Sequence, residues 1–173
     1  MSRDHMRWLA PLPALIAAPA LAESYLTLEQ AQAQMFPGEL LNPLAVTLSK
    51  AQAKAIQDAS GVKVRTATLK VWRASGGGWF FLDQVLGKHE FITYALALDA
   101  SGAVRAIEVL EYRETYGGGV REAKWRAQFV GKRASTPLEH GTDIANISGG
   151  TLSARHMTDG VKRLLATHAE LSR

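Results

Sequence analysis

The residues best suited to chemistry lie close to the C-terminal end of the chain. Residues 146–153 read Asn-Ile-Ser-Gly-Gly-Thr-Leu-Ser and are followed by a long amphipathic segment. Ser148, Gly149, Gly150 and Thr151 therefore place small side chains and two hydroxyls at the predicted start of a helix. Backbone N–H groups and the positive end of a helix dipole favour a phosphate there, and a hydroxyl can also be esterified by one. An ordinary helix start capped by Thr151 or Ser153 would give the same pattern without any ligand.

A second segment with chemical potential lies about thirty residues earlier. Residues 114–119 read Glu-Thr-Tyr-Gly-Gly-Gly and follow a predicted strand. Because glycine has no Cβ, such a loop lets the backbone approach a flat ligand closely. Glu114 and Thr115 offer polar edges to that ligand, and Tyr116 and Trp125 offer aromatic faces. A flexible surface loop beside core aromatics is the alternative interpretation.

Composition excludes several other classes of site. The chain has no cysteine, which excludes thiolate metal sites, iron–sulfur clusters and thiol nucleophiles. The glycines are not followed by the Lys-Ser/Thr pair of a P-loop, and no Gly-x-Ser-x-Gly elbow is present. The histidines show no metal-ligand spacing, so no metal is expected. The formal charge of +4 is scattered along the chain, which favours a solvated surface and no nucleic-acid partner.

The first 22 residues are typical of an export signal. Arg3 and Arg7 precede an uncharged stretch over 8–22 that ends in the small-x-small sequence Ala20-Leu21-Ala22. This stretch is shorter than the roughly 20 residues that span a bilayer. We predict a cleaved signal peptide, with an uncleaved membrane anchor as the alternative. The protein is therefore expected in the periplasm or on the outer face of the cytoplasmic membrane.

Periodicity beyond the signal predicts a helical N-terminal segment over 23–61 and a second segment over 62–173. A capping box begins at Thr27, and a second helix from Lys50 to Ser60 is closed by Gly61. The later segment contains alternating or apolar runs typical of strands and two further helices. We predict a single α+β domain, mainly an antiparallel sheet packed with helices. The predicted strands cover 65–73, 79–86, 91–98 and 104–113, and the predicted helices cover 120–130 and the chain from Leu152 onward.

The two segments together resemble the FMN-binding domain family. That family includes the C subunit of the sodium-pumping NADH:quinone oxidoreductase and the G subunit of the Rnf electron-transport complex. Residues 114–119 resemble its Glu-Thr-Pro-Gly-x-Gly loop, and residues 148–151 resemble the end of its Asp-x-x-Ser/Thr-Gly-Ala-Thr segment. Between them, Trp125, Phe129, Gly131 and Lys132 match a Trp-x-x-x-Phe-x-Gly-Lys run.

The resemblance implies FMN as cofactor, bonded through its phosphate to the final threonine, Thr151, by a separate flavin transferase. It also implies that residues around Thr151 surround the phosphate and that the earlier loop contacts the isoalloxazine ring. The implied phosphate residues are Ser148, Gly149, Gly150, Leu152 and Ser153. The implied ring contacts are Glu114, Thr115, Tyr116, Gly117 and Trp125.

Four positions, in three places, depart from the family pattern. Gly150 stands where relatives have alanine, Ala145 where they have aspartate, and Tyr116 with Gly118 where they have proline and a larger residue. The expected role is an exported electron-transfer module that serves a membrane redox partner. A small periplasmic flavin-dependent reductase and a flavin-free binding or assembly protein of the same fold remain the alternatives.

Overall fold

The computed structural model describes residues 23–173, so the predicted export signal at 1–22 lies outside the described part. Within that part, no helix is both long and apolar enough to cross a membrane. Two short 3₁₀ turns, Gly118–Arg121 and Ala127–Phe129, flank α3. The elements follow in the order β1 Glu23–Ser24, α1 Leu28–Met35, β2 Leu41–Thr47, α2 Lys50–Ser60, β3 Thr68–Ala74, β4 Trp79–Leu86, β5 Phe91–Leu98, β6 Val104–Tyr112, α3 Ala123–Arg126 and α4 Thr151–Leu171.

The strands form one antiparallel sheet in the order β1-β6-β5-β4-β3-β2. The central pair, β4 and β5, is in register along its whole length, from Trp79 opposite Leu98 to Leu86 opposite Phe91. Strand β5 lies between β4 and β6 and is largely apolar on both faces, as a central strand should be. The expected α+β domain with an antiparallel sheet and packed helices is confirmed.

Side chains that alternate along the strands build a core on each face of the sheet. On one face, Phe81 and Val85 of β4 pack in the same cluster as Met157 and Val161 of α4. On the other face, Phe80 packs in a cluster with residues of α1. The long helix α4 is thus fixed against the sheet by its apolar stripe, and its N-terminal end is fixed with it.

The helices near the start of the chain confirm the predicted cap chemistry. Thr27 before α1 and Ser49 before α2 each form a complete capping box with the glutamine three residues later. Helix α2 ends at Gly61, whose φ of 71° places it in the left-handed region that glycine adopts easily. Both helix starts are therefore satisfied locally by their own side chains.

Two regions differ from the sequence expectation. The segment 23–61 is not wholly helical, because Leu41–Thr47 forms edge strand β2 and pairs with β3. Pro43 hides this strand in the sequence, since proline is tolerated in a sheet mainly at an edge. The predicted helix over 120–130 is likewise broken into 3₁₀ turns around the four-residue α3.

Candidate functional site

A cleft of about 330 Å³ opens where the start of α4 meets two loops. The first loop follows β6, and the second joins β4 to β5. The volume is at the lower end of the 300–1,000 Å³ typical of ligand pockets. Its walls are formed by Lys88, His89, Glu114, Thr115, Tyr116, Gly149, Gly150, Thr151, Leu152 and Ser153.

Helix α4 begins at Thr151, with Gly150 as its N-cap, and no side chain among residues 23–173 caps it. The alternative in which Thr151 or Ser153 is the cap is therefore wrong. The first intrahelical bond runs from the N–H of Ala154 to the carbonyl of Gly150. The N–H groups of Thr151, Leu152 and Ser153 precede this ladder, as the first donors of any helix do. Unlike α1 and α2, this helix thus presents its positive end to the cleft, next to the exposed Thr151 hydroxyl.

The two glycine segments touch each other through their backbones. A Cβ on Gly150 would lie 2.9 Å from the Cα of Gly117, and one on Gly117 would lie 3.1 Å from the Cα of Gly150. Gly117 and Gly149 adopt φ angles of 84° and 70°, where L side chains are strained. A Cβ on Gly149 would meet no atom within 4 Å, so the turn before Thr151 is open on the side of that glycine.

Tyr112 supports this contact from below. Its hydroxyl donates a hydrogen bond to the carbonyl of Tyr116, and it lies 3.0 Å from where a Cβ on Gly117 would be. Burial raises the pKa of Tyr112, and the hydrogen bond with Ser153 opposes that rise only in part. The phenol therefore stays neutral and serves as a fixed donor at the base of the cleft.

The carboxylate of Glu114 is hydrogen-bonded to the backbone of the loop between β4 and β5. Its Oε1 accepts hydrogen bonds from the backbone N–H groups of His89 and of Glu90, the second at 3.0 Å. Burial alone would raise the pKa of Glu114, but hydrogen bonds from the backbone N–H groups of Glu90, His89 and Lys88 outweigh it and lower the pKa. The carboxylate is thus kept ionised while it joins the two loops of the cleft.

Most of the predicted site residues line this cleft, and three do not. Ser148 is exposed outside it, and Gly117 contributes through its contact with Gly150. Trp125, predicted as an aromatic face for the ligand, is instead buried in the core with 6% exposure. Its indole N–H donates to the carbonyl of Ala145 at 2.8 Å, which positions the chain that leads to the helix start.

Two lining residues, Lys88 and His89, were not predicted as site residues. They lie between β4 and β5, before either glycine segment. The sequence gives one indication of their role: two neighbouring side chains that can carry positive charge lie in the turn between β4 and β5. Only the tertiary structure, through the contact with Glu114, brings that turn to the start of α4.

The departures from the family pattern have local explanations. The backbone of Ala145 is held by Trp125 and by Gln128, whose Oε1 accepts the Ala145 N–H at 2.8 Å. The nearby Asp143 does not replace the missing carboxylate, because its Oδ2 accepts the N–H of Glu139. At Gly150 this structure has no room for the alanine of relatives, since a Cβ would collide with the backbone of Gly117.

The backbone N–H groups of an uncapped helix start beside a glycine-lined cleft have the chemistry that suits a phosphate-bearing small molecule. Residues 87–166, a little under half of the chain, match the family model described as FMN-binding domain, and this stretch is similar to that domain. The stretch begins at Gly87 and contains the whole cleft. In a comparison with curated proteins, none matches the chain.

Proposed function

We propose that this protein is an exported flavoprotein that carries FMN, bonded through its phosphate to Thr151. It acts as an electron-transfer module for a membrane-associated redox chain. The observation that carries the proposal is the exposed Thr151 hydroxyl at the uncapped start of α4, inside the cleft of an FMN-binding domain. A flavin transferase and a membrane redox partner are the two proteins that this role requires.

The residues present fit a flavin phosphate. The N–H groups of the first turn of α4 are available donors, and the open turn at Gly149 leaves room for phosphate oxygens. The helix dipole favours the negative charge by about 0.3–1 kcal/mol. Lys88 adds a positive charge to the same cleft. A covalent bond then retains the cofactor in a compartment that does not resupply it.

The attachment step needs an activated phosphate, because a phosphate monoester has no good leaving group. We propose a flavin dinucleotide as donor. The Thr151 oxygen forms a bond to the flavin-side phosphorus as the phosphoanhydride bond breaks. A nucleoside monophosphate leaves, and the hydroxyl proton passes to solvent or to a base of the transferase. The product is a phosphodiester that joins the threonine to the flavin.

When bound, the flavin supplies one- and two-electron transfer, and the chain has only to bind and orient it. Tyr116 and Leu152 are 77% and 43% exposed at the cleft. They provide an aromatic and an aliphatic surface against which an isoalloxazine ring can pack. This role requires no side chain as acid, base or nucleophile during turnover, which favours an electron carrier over an enzyme with its own substrate.

The test is co-expression of the chain with a flavin transferase, followed by a denaturing gel viewed for flavin fluorescence. The wild type is expected to fluoresce, and Thr151→Ala is expected to lose the signal completely. Thr151→Ser keeps the hydroxyl and is expected to retain at least part of the signal. Fluorescence that survives in Thr151→Ala would contradict the attachment site. A colourless wild type would favour the flavin-free alternative.

A further inference from the structure

The loop between β4 and β5 makes one wall of the cleft. We name residues 87–90 the hairpin turn. Its Lys88 and His89 line the same cleft as Thr151, although they lie more than sixty residues earlier in the chain. The cleft therefore combines potential cations from the hairpin turn with the positive end of α4.

The hairpin turn is bonded to the carboxylate of Glu114, and the carbonyl of Leu86 just before the turn is bonded to His156 of α4. The carboxylate of Glu114 accepts the N–H groups of His89 and Glu90 through a single oxygen. Gly87 lies tightly under this carboxylate, because a Cβ at that position would lie 2.5 Å from Oε1 and 3.0 Å from Cγ of Glu114. The contact thus needs an acceptor at 114 and the absence of a side chain at 87.

Glu114 lines the cleft together with Lys88 and His89, but its carboxylate is bonded to the hairpin turn. We propose that Glu114 is a positioning residue whose carboxylate fixes this turn, so that the side chains of Lys88 and His89, rather than the Glu114 carboxylate, face the flavin. This inference rests on the proposed function. It differs from the direct contact between Glu114 and the ring that the family resemblance implies.

Charge gives a physical reason for this arrangement. A carboxylate facing the ring would oppose the negative charge that a flavin gains on reduction, whereas a lysine would stabilise that charge. In this structure the Glu114 carboxylate accepts backbone N–H groups of the hairpin turn, and Lys88 of that turn lines the cleft. The lowered pKa of Glu114 is consistent with those bonds.

The positioning contact can be measured without any flavin. Hydrogen exchange at the backbone amides of His89 and Glu90, followed by NMR, reports the bonds to Glu114 directly. Glu114→Ala removes the acceptor, and Gly87→Ala displaces it while leaving Glu114 in the chain. Both variants are expected to exchange about tenfold faster or more at these two amides. Glu114→Gln keeps an acceptor oxygen and is expected to preserve much of the protection.

A double variant separates this contact from general destabilisation. Once Glu114 is alanine, the closest contacts of a Cβ at position 87 are gone, and only the backbone carbonyl of Glu90 at 3.1 Å remains among its three nearest atoms. Gly87→Ala should then add less acceleration than it causes alone, which is the non-additivity expected of two residues in one contact. The matched control is Glu111→Gln. Glu111 lies on β6, shortly before Glu114 in the chain, and forms an ion pair with Arg113. It should leave both amides unchanged.

The flavin-loaded protein tests the second half of the proposal. Glu114→Ala, Gly87→Ala and Lys88→Met are all expected to lower the midpoint potential of the flavin, and Glu114→Gln is expected to change it least. If Glu114 instead contacted the ring through its charge, both Glu114→Ala and Glu114→Gln would remove a negative charge from beside the flavin and would raise the midpoint potential. That result would overturn the proposal.

The two proposals fail in different ways. A wild type that never takes up flavin would overturn the proposed function and, with it, the role of Lys88 towards the flavin. It would leave the exchange result unaffected. Unchanged protection of His89 and Glu90 in both Glu114→Ala and Gly87→Ala would overturn the positioning role, even in a protein that binds flavin normally.

Discussion

At Gly150 the difference between glycine and alanine is one methyl group, and the cleft has no room for it. The added carbon would lie 2.9 Å from both the Cα of Gly117 and the Cγ2 of Ile147. We expect Gly150→Ala to lower the free energy of unfolding by about 1–3 kcal/mol, as overpacking usually does. Flavin attachment should fall with it, because the two glycine segments must move apart.

Thermal or denaturant unfolding measures the stability effect of Gly150→Ala. Gly118→Ala is the matched control in the same loop, since its Cβ would meet only the movable guanidinium end of Arg121. Equal free energies of unfolding for the two variants would show that the backbone contact between the glycine segments does not limit which residue position 150 can hold.

Ala145 marks a second single-residue difference with a measurable consequence. Its backbone is held by Trp125 and Gln128, and its side chain is exposed. A carboxylate can therefore be restored there without disturbing the fold. We expect Ala145→Asp to increase the rate of flavin attachment by the transferase, followed as fluorescence against time. Unchanged stability with an unchanged rate would show that the transferase does not read this position.

At the scale of elements, α4 is joined to β4 and β5 by a partly buried polar contact at the margin of the apolar core. Asp83 accepts hydrogen bonds from Tyr94 at 2.8 Å and from Arg163 of α4. The Tyr94 ring is fully buried, and its hydroxyl occupies the space that a Cβ on Gly160 would need. Burial, and then the negative charge of Asp83, raise the pKa of Tyr94 well above its ordinary value near 10.

The sign of the resulting pH dependence follows from this raised pKa. Below about pH 10 the phenol is neutral in both states, so its stabilising contribution is complete. Above that pH the unfolded state loses the proton and the folded state does not. The free energy of unfolding should then fall by up to about 1.4 kcal/mol per pH unit for this one group.

Tyr94→Phe tests this pH dependence by denaturant unfolding between pH 8 and about pH 11. The variant should lose about 1 kcal/mol near neutral pH, because one hydrogen bond is removed. Above about pH 10, the free energy of unfolding of Tyr94→Phe should fall less steeply with pH than that of the wild type. Tyr116→Phe is the exposed control and should leave the steepness of the decline unchanged. If the free energy of unfolding fell as steeply with pH in Tyr94→Phe as in the wild type, Tyr94 would not be the source of this pH dependence.

Local chemistry made most elements predictable. The capping boxes at Thr27 and Ser49 and the apolar run of β5 are strong local signals, and the structure has these elements with the expected bounds. Strand β2 was not predicted, because a proline such as Pro43 is typical of a position where a strand ends. In addition, an edge strand is stabilised mainly by its partner, which here is β3. Such a partner is set by tertiary structure and cannot be read from the residues alone.

The same distinction applies to the cleft. Gly149, Gly150 and Thr151 could be found from their neighbours in sequence. Lys88 lies at the cleft because the hairpin is bonded to Glu114 and, at Leu86, to His156 of α4. Trp125 is instead buried in the core, with its indole N–H bonded to the carbonyl of Ala145. Hydrogen bonds between segments distant in sequence decided both outcomes.

At the scale of the whole molecule, one measurement tests export and attachment together. Mass spectrometry of the intact protein purified from its native envelope should show the loss of residues 1–22 and the addition of one flavin mononucleotide. Both follow from the proposed route, in which the chain is exported before the transferase modifies it. A full-length mass would indicate a retained anchor, and an unmodified mature mass would contradict the flavin assignment.

The contact between Gly117 and Gly150 also bears on the order of biogenesis. The acceptor turn takes its shape from a loop about thirty residues away, with β6 and the start of α4 already packed. A newly made or isolated peptide containing Thr151 lacks that surrounding structure. Flavin loading should therefore come after folding, and a misfolded chain would remain without its cofactor.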